Sequence, residues 1–294
     1  MLNLLTKYLT MLDKLKKTDI FFLIYISISS LLIIFSLWGE DMLVHLLLIR
    51  LIILILVFGI LFFHKQVKSK LSDILREAYP LILSAYFYQE TVNYNKLFFS
   101  NLDPYLEKAD FYIFGIQPAI SFSECISNHL FSELMYFSYF TFYLLIIGFF
   151  LIYYLQKGDK LSKNVFYLTA SLYLFYLIFA IFPSAGPQYF FESPQNILPS
   201  AYIFDNIMHL VQKFGEQPTG AFPSSHVGIS IIILILFRKD FGNYFKIALP
   251  IVFLLILSTV YIKAHYVVDV VAGIVFAPLI LFLSKKLYNY LPGK

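Results

Sequence analysis

With one cysteine, Cys125, in 294 residues, the chain has no pair for an internal disulfide, so no redox framework supports its fold. Charged residues are scarce as well, at 14%, which removes the solvated surface that a soluble protein of this length would carry. The six histidines form no His-Glu-x-x-His pattern and there is no Cys pair. A zinc site of the familiar kinds is therefore not expected, and neither is any other cofactor, so the activity is expected to be metal-independent. Internal repeats, low-complexity tracts and a separate soluble domain are also missing. The net charge of only +4 gives no basis for a nucleic-acid partner.

What the chain has instead is apolar surface, with 60% hydrophobic residues and a mean hydropathy of +0.76. Runs near 20–38, 42–63, 74–92, 131–155, 165–182, 222–237, 246–262 and 265–284 approach the 20 or so residues needed to cross about 30 Å of hydrocarbon. The expected fold is all-α: a polytopic transmembrane helix bundle of six to eight spans, with a six-helix catalytic core. Residues 1–70 are read as an N-terminal cytoplasmic segment with two transmembrane helices, and 71–294 as the catalytic core. The first run lies behind Lys14, Lys16 and Lys17 and lacks a small-residue cleavage site, so it is read as a retained helix.

Eight spans with the N-terminus in the cytoplasm place 17 of the 22 Lys and Arg in inner segments, as the positive-inside rule requires. Lys96, Lys108, Lys213 and Lys263 remain outside. Arg50 falls within the second run and is expected to pair with a polar group in the bundle. Both termini are thus expected in the cytoplasm. The two long connections, 93–130 and 183–221, fall on the outer side, where long ordered loops are commonly functional.

The same topology brings Pro223-Ser224-Ser225-His226 to the outer mouth of one helix and Lys263-Ala264-His265-Tyr266-Val267-Val268-Asp269 to the outer mouth of another. His265 and Asp269 are four residues apart, one turn along a shared helical face. An Asp inside a membrane helix costs about 2.5 to 3.5 kcal/mol on insertion scales, and a His one turn away is an obvious partner. Singly, each piece has a bland explanation: Ser224 as a helix N-cap, a histidine as a wetted interface residue. Together they suit metal-free phosphoryl transfer. One imidazole attacks phosphorus, a second protonates the departing oxygen, and the Asp orients the attacker. Free amides after Pro223 offer an anion site.

These residues resemble the type 2 phosphatidic acid phosphatase superfamily. Pro223-Ser224-Ser225-His226 is similar to its Pro-Ser-Gly-His motif, and Ser258-Thr259-x5-His265-x3-Asp269 to its Ser-Arg-x5-His-x3-Asp motif. The resemblance implies that His265 is the nucleophile, His226 the general acid and Asp269 the residue that orients His265. Two family arginines are missing: Thr259 stands at one position, and Lys96-x6-Asp103-Pro104 is the nearest match to Lys-x6-Arg-Pro. Gly220 to His226, His265 to Asp269 and Ala109-Asp110-Phe111-Tyr112-Ile113-Phe114-Gly115 look closest to the branch with inositol phosphorylceramide synthase and sphingomyelin synthase.

Ser224, Ser225, Lys263, Gln188 and Lys96 are the expected phosphate ligands. A membrane lipid phosphate is the expected substrate, and inositol or a lipid hydroxyl a possible acceptor; with water as acceptor, the same three residues would make a lipid phosphatase. A transporter using His and Asp as a proton relay is the alternative of another class. It would place those residues near the midplane, in broken, symmetry-related helices.

Overall fold

Backbone amides in hydrocarbon have no partner but their own helix, and each long apolar run duly folds as one. The computed structural model describes residues 15–67 and 69–293. Lys7, Lys14, Lys68 and Lys294, counted above among the inner cations, lie outside the described residues. Eight long helices are present: α1 (Lys17–Ser36), α2 (Asp41–Gln66), α3 (Lys70–Glu90), α6 (His129–Gln156), α7 (Gly158–Phe179), α10 (Ser225–Asp240), α11 (Gly242–Tyr261) and α12 (Val267–Tyr290). The two long connections fold into short helices, α4 (Asp103–Phe114) and α5 (Pro118–Cys125), then α8 (Pro187–Phe190) and α9 (Phe204–Gly215). There is no strand among the described residues, and the chain is a polytopic helical membrane bundle.

By length and composition, α1, α2, α6, α11 and α12 can cross a membrane. The other three long helices are less apolar for a packing reason. Helix α7 lies against α1, α3, α6, α10 and α12, so its polar groups meet protein: Ser171 Oγ lies 3.0 Å from Ser284 Oγ, and Tyr173 donates to the Pro80 carbonyl at 2.8 Å. Helix α3 carries the acid that Arg50 needs. Arg50 Nε donates to Glu90 Oε1 at 3.0 Å, its Nη2 meets Glu90 Oε2, and Nη1 reaches Ile26 O, Ser29 and Ser30 on α1. Arg76 likewise bonds to Asp19, which also accepts from Tyr79 at 2.6 Å.

Cations gather at one end of the bundle. There Lys160 Nζ donates to Asp240 Oδ1 at 2.6 Å, Lys17 Nζ to the Tyr288 carbonyl at 2.9 Å, and Lys16 pairs with Glu77. These contacts join the ends of α1, α3, α7, α10 and α12. The opposite end carries α4, α5, α8 and α9. Glu133 on α6 anchors the start of α9 by accepting the amides of Tyr202, Ile203 and Phe204 at 3.0 to 3.2 Å.

The long helices start one to seven residues from the expected runs, and two of these shifts bear on the histidines. Helix α10 begins at Ser225, not near 222, because the Ser224 side chain caps it, accepting from Val227 N. Helix α12 begins at Val267, so His265 sits in the preceding turn and does not share a helical face with Asp269. The turn forms because Lys263 adopts φ 60° and His265 N bonds back to Thr259 O at 3.0 Å.

Candidate active site

The mouth of α10 is set by contact with α12. Gly273 makes the approach possible: a Cβ there would lie 2.6 Å from the Ser224 carbonyl oxygen. Ser224 N then donates to Asp269 O at 3.1 Å, and Ser224 itself is fully buried as the helix cap. One turn of helix aims His226 inward, with Tyr139 and Phe142 against its ring at centroid distances of 4.8 and 4.3 Å.

His265 arrives from the turn before α12. Its Nδ1 lies 2.9 Å from the Ala221 carbonyl, which can only accept, so Nδ1 carries a proton and Nε2 of the neutral ring is bare. That bare nitrogen faces His226 Nδ1 at 3.4 Å. Burial pushes the His265 pKa down to about 4, against smaller upward pulls from the Ala221 carbonyl and Glu216. Near neutral pH the ring therefore has its lone pair free.

Asp269 Oδ2 lies 3.5 Å from His265 Nδ1 and accepts the Tyr266 amide at 2.9 Å. The hydrogen bond that selects the imidazole tautomer comes from Ala221, with the carboxylate close behind it. Thr259, at the position of a family arginine, donates to the Ile256 carbonyl within its own helix.

The other expected residues are distributed unevenly. Gln188 lines the same cavity as the two histidines, with Glu216, Tyr88, Tyr139, Tyr189 and Thr219. Ser225 borders His226 on its apolar side. Lys263 does not point into the cavity: its ammonium donates to the carbonyls of Gln195 and Ile197, both at 2.6 Å, and burial lowers its pKa. Lys96 borders a neighbouring polar cavity. Among the described residues no Lys or Arg lines the histidine cavity.

Three acids bearing on the site were not singled out as site residues from the sequence. Glu216 accepts from Tyr139 at 2.9 Å and from Gln188 Nε2 at 3.2 Å; burial raises its pKa, and these hydrogen bonds and His265 pull it back. A lone Glu in a loop has no spacing rule to reveal it. Asp103 accepts the amides of Ala185 and Gly186 at 2.7 and 2.8 Å. Asp110, two turns along the same face of α4, accepts those of Val267 and Val268 at 2.8 and 3.0 Å, and burial raises its pKa. Their seven-residue spacing and the acid at the arginine position were the available signals.

Only about 10 Å³ is open between the histidines and Glu216, no more than one water requires, so the walls must part to admit a phosphoryl group. Beside it an apolar cavity of about 230 Å³ runs between α3, α6, α7 and α9, from Leu81 and Ile147 to His226 and Glu216. Among the described residues no group of three or more His, Cys, Asp or Glu is placed to hold a metal ion.

A family model described as the PAP2 superfamily matches residues 114–283, more than half of the chain. That span contains both histidines, Asp269, Gln188 and Glu216, and leaves out α1 to α3, Lys96 and Asp103. No curated protein and no solved structure matches the chain.

Proposed function

The chain belongs to the PAP2 superfamily, and on that premise we propose that it transfers a phosphate-bearing head group between lipids through a phosphohistidine on His265, as an inositol phosphorylceramide synthase-like phosphotransferase. The observation that carries this reading is the bare Nε2 of His265 facing His226 Nδ1 at 3.4 Å, in a cavity lined by neutral donors and a carboxylate.

In the first step His265 Nε2 bonds to phosphorus, the bond from phosphorus to the lipid oxygen breaks, and His226 gives that oxygen a proton. In the second an acceptor oxygen bonds to phosphorus, the N–P bond breaks, and the acceptor's proton returns to His226. Asp269 and the Ala221 carbonyl hold His265 and stabilise the charge its ring gains. Gln188, through its second amide N–H, and the Tyr189 hydroxyl supply donors to the phosphate from the cavity wall, with Ser225 beside His226 on the apolar side; Ser224 and Lys263 act one step away, by capping α10 and pinning residues 195–197.

That no Lys or Arg among the described residues lines the histidine cavity bears on the substrate. A phosphate monoester carries roughly 1.5 to 2 negative charges near pH 7, a diester one. Beside buried Glu216 and Asp269 the second charge is costly, which favours a phosphodiester lipid and hence transfer. The apolar cavity ending on His226 suits the lipid part of both the leaving and the accepting alcohol. Hydrolysis is the second reading, favoured by the water-sized space beside the histidines.

By the positive-inside rule the cation-rich end faces the cytoplasm and the histidines the outer side. On this reading residues 71–294 are the catalytic core and 1–70 an N-terminal cytoplasmic segment with two transmembrane helices. The test uses vesicles holding the full chain and ³²P-labelled phosphodiester or phosphomonoester lipids. We expect an acid-labile label on His265 from the diester, and a new labelled lipid. Free phosphate as the sole product would make the protein a phosphatase, and label on His226 would reverse the roles.

A further inference from the structure

Three residues border both the water-sized space at the histidines and the apolar cavity beside it: Tyr88, Glu216 and His226. An alcohol oxygen that moves from the apolar side toward phosphorus on His265 passes beside them. The Tyr88 hydroxyl is committed, donating to the Thr219 carbonyl at 3.2 Å, and a tyrosine keeps its proton near neutral pH. Glu216 and His226 are the two groups at this partition that can exchange one.

The charge of Glu216 is more than anchoring requires. The residue is 7% exposed, and its two oxygens accept from neutral donors, the Tyr139 hydroxyl at 2.9 Å and Gln188 Nε2 at 3.2 Å. A glutamine could accept such bonds without placing an ionised carboxylate in a buried site, where it is costly. Two bonds also leave lone pairs free, since a carboxylate has about four acceptor sites. Burial weakens an imidazole as a base and strengthens a carboxylate; it takes His265 down to about 4 and raises Glu216. With the His265 ring bonded to phosphorus, the carboxylate is the better proton acceptor left in the cavity.

We propose that Glu216 is the base for the second half of the reaction, taking the proton of the acceptor hydroxyl as its oxygen attacks the phosphohistidine. The inference rests on the phosphotransferase reading and adds a catalytic residue to it. The acceptor O–H bond breaks toward Glu216, the oxygen bonds to phosphorus, and the N–P bond breaks with its electron pair returning to His265 Nε2. After the product has left, the proton passes from Glu216 to His226 across the space of about 10 Å³ between them, which one water can bridge. The leaving alcohol of the first step carries off one proton and the acceptor brings one, so the cycle balances with His226 again the acid.

The test uses the full chain in vesicles with ³²P-labelled phosphatidylinositol, phosphatidylglycerol or phosphatidylethanolamine as donor in turn. Once the His265 adduct has formed, dodecanol or its difluoro analogue, fluorinated on the carbon beside the one that bears the hydroxyl, is added as acceptor. The two share a chain and differ in hydroxyl acidity, so the fluorinated alcohol needs a base less. In Glu216→Gln the adduct should form within a few-fold of the unaltered rate. Its transfer to dodecanol should slow about 10²-fold, the lower end of general-base effects, and transfer to the difluoro alcohol should slow far less.

Two further variants separate chemistry from anchoring. Tyr139→Phe removes one hydrogen bond and keeps the carboxylate, so the ratio of the two alcohols should stay at its unaltered value; Glu216→Asp should return part of the dodecanol rate. Equal slowing with both alcohols would make Glu216 an anchor, and unchanged transfer would leave His226 as the base. Loss of the adduct from both Glu216→Gln and Glu216→Asp would assign the residue to building the site. Each of these three results overturns the inference and leaves the phosphotransferase reading intact, whereas no adduct in the unaltered protein, with any of the three donors, would overturn that reading.

Discussion

Buried carboxylates on the two sides of this bundle have different partners. In α1 to α3, Asp19 and Glu90 meet guanidinium groups, Arg76 and Arg50. At the histidine end Asp103, Asp110 and Asp269 accept backbone amides, and Glu216 accepts a tyrosine and a glutamine. Ion pairs hold α1 and α2 to α3, and Arg50 links α2 to α1 through hydrogen bonds. The amide-held acids position loops, and among the described residues no Lys or Arg lines the cavity between the two histidines. A cation thus compensates the carboxylates of α1 to α3, whereas hydrogen bonds alone satisfy those at the histidine end.

The strongest way to sharpen this contrast is to remove the nucleophile. His265→Ala should reduce transfer by a factor on the order of 10³ or more and abolish the labelled adduct, with stability little changed; quantifying adduct and product in the same vesicles checks it. Persisting adduct would assign the chemistry elsewhere.

Next is the ion-paired side. Arg50→Met leaves Glu90 as an uncompensated buried charge and should cost about 3 to 5 kcal/mol, read as a large drop in unfolding midpoint in detergent titrations. Adding Glu90→Leu should restore most of it, since removing both partners removes the unpaired charge. A double variant as unstable as the single one would mean that the pair acts through Ser29 and Ser30 on α1.

Asp110→Ala tests the amide-held side. Two amides at the start of α12 lose their acceptor, which should cost about 1 to 3 kcal/mol, less than the arginine variant, together with a moderate fall in kcat as the His265 turn loosens. A cost equal to that of Arg50→Met would erase the distinction between the two sides.

The smallest effect is in the pH profile. With His265 held near about 4 instead of 6.5, the acidic limb of kcat/KM, which reports the free protein, should fall near pH 4, where the ring protonates and loses its lone pair. The sign for stability follows: between about 6.5 and about 4 the unfolded chain binds a proton that the folded ring refuses, so this contribution is complete above 6.5 and is lost as pH falls. Raised pKa values at Glu216 and Asp110 act in the opposite sense, so the kinetic limb is the cleaner measurement. An acidic limb near 6.5 would show that the unliganded cavity is more hydrated than its packing implies.

The apolar runs by themselves determined eight long helices, because membrane-embedded backbone has no other way to satisfy its amides. The motif spacing picked out His226, His265 and Asp269, and the paired mouths of α10 and α12 follow from alternating spans. The Arg50 pairing was also legible, since a guanidinium inside a span needs an acid. Only the tertiary structure decided the rest. Ser224 is a cap, Lys263 turns to the 195–197 carbonyls, and Ala221 selects the His265 tautomer, because each depends on a backbone carbonyl or amide whose direction no side-chain pattern encodes. Glu216, Asp103 and Asp110 lie 49 to 162 residues from His265 in the sequence. Their roles come from helix packing: Gly273 sets how closely α12 approaches α10, and α4 lies across the loops that its two acids hold.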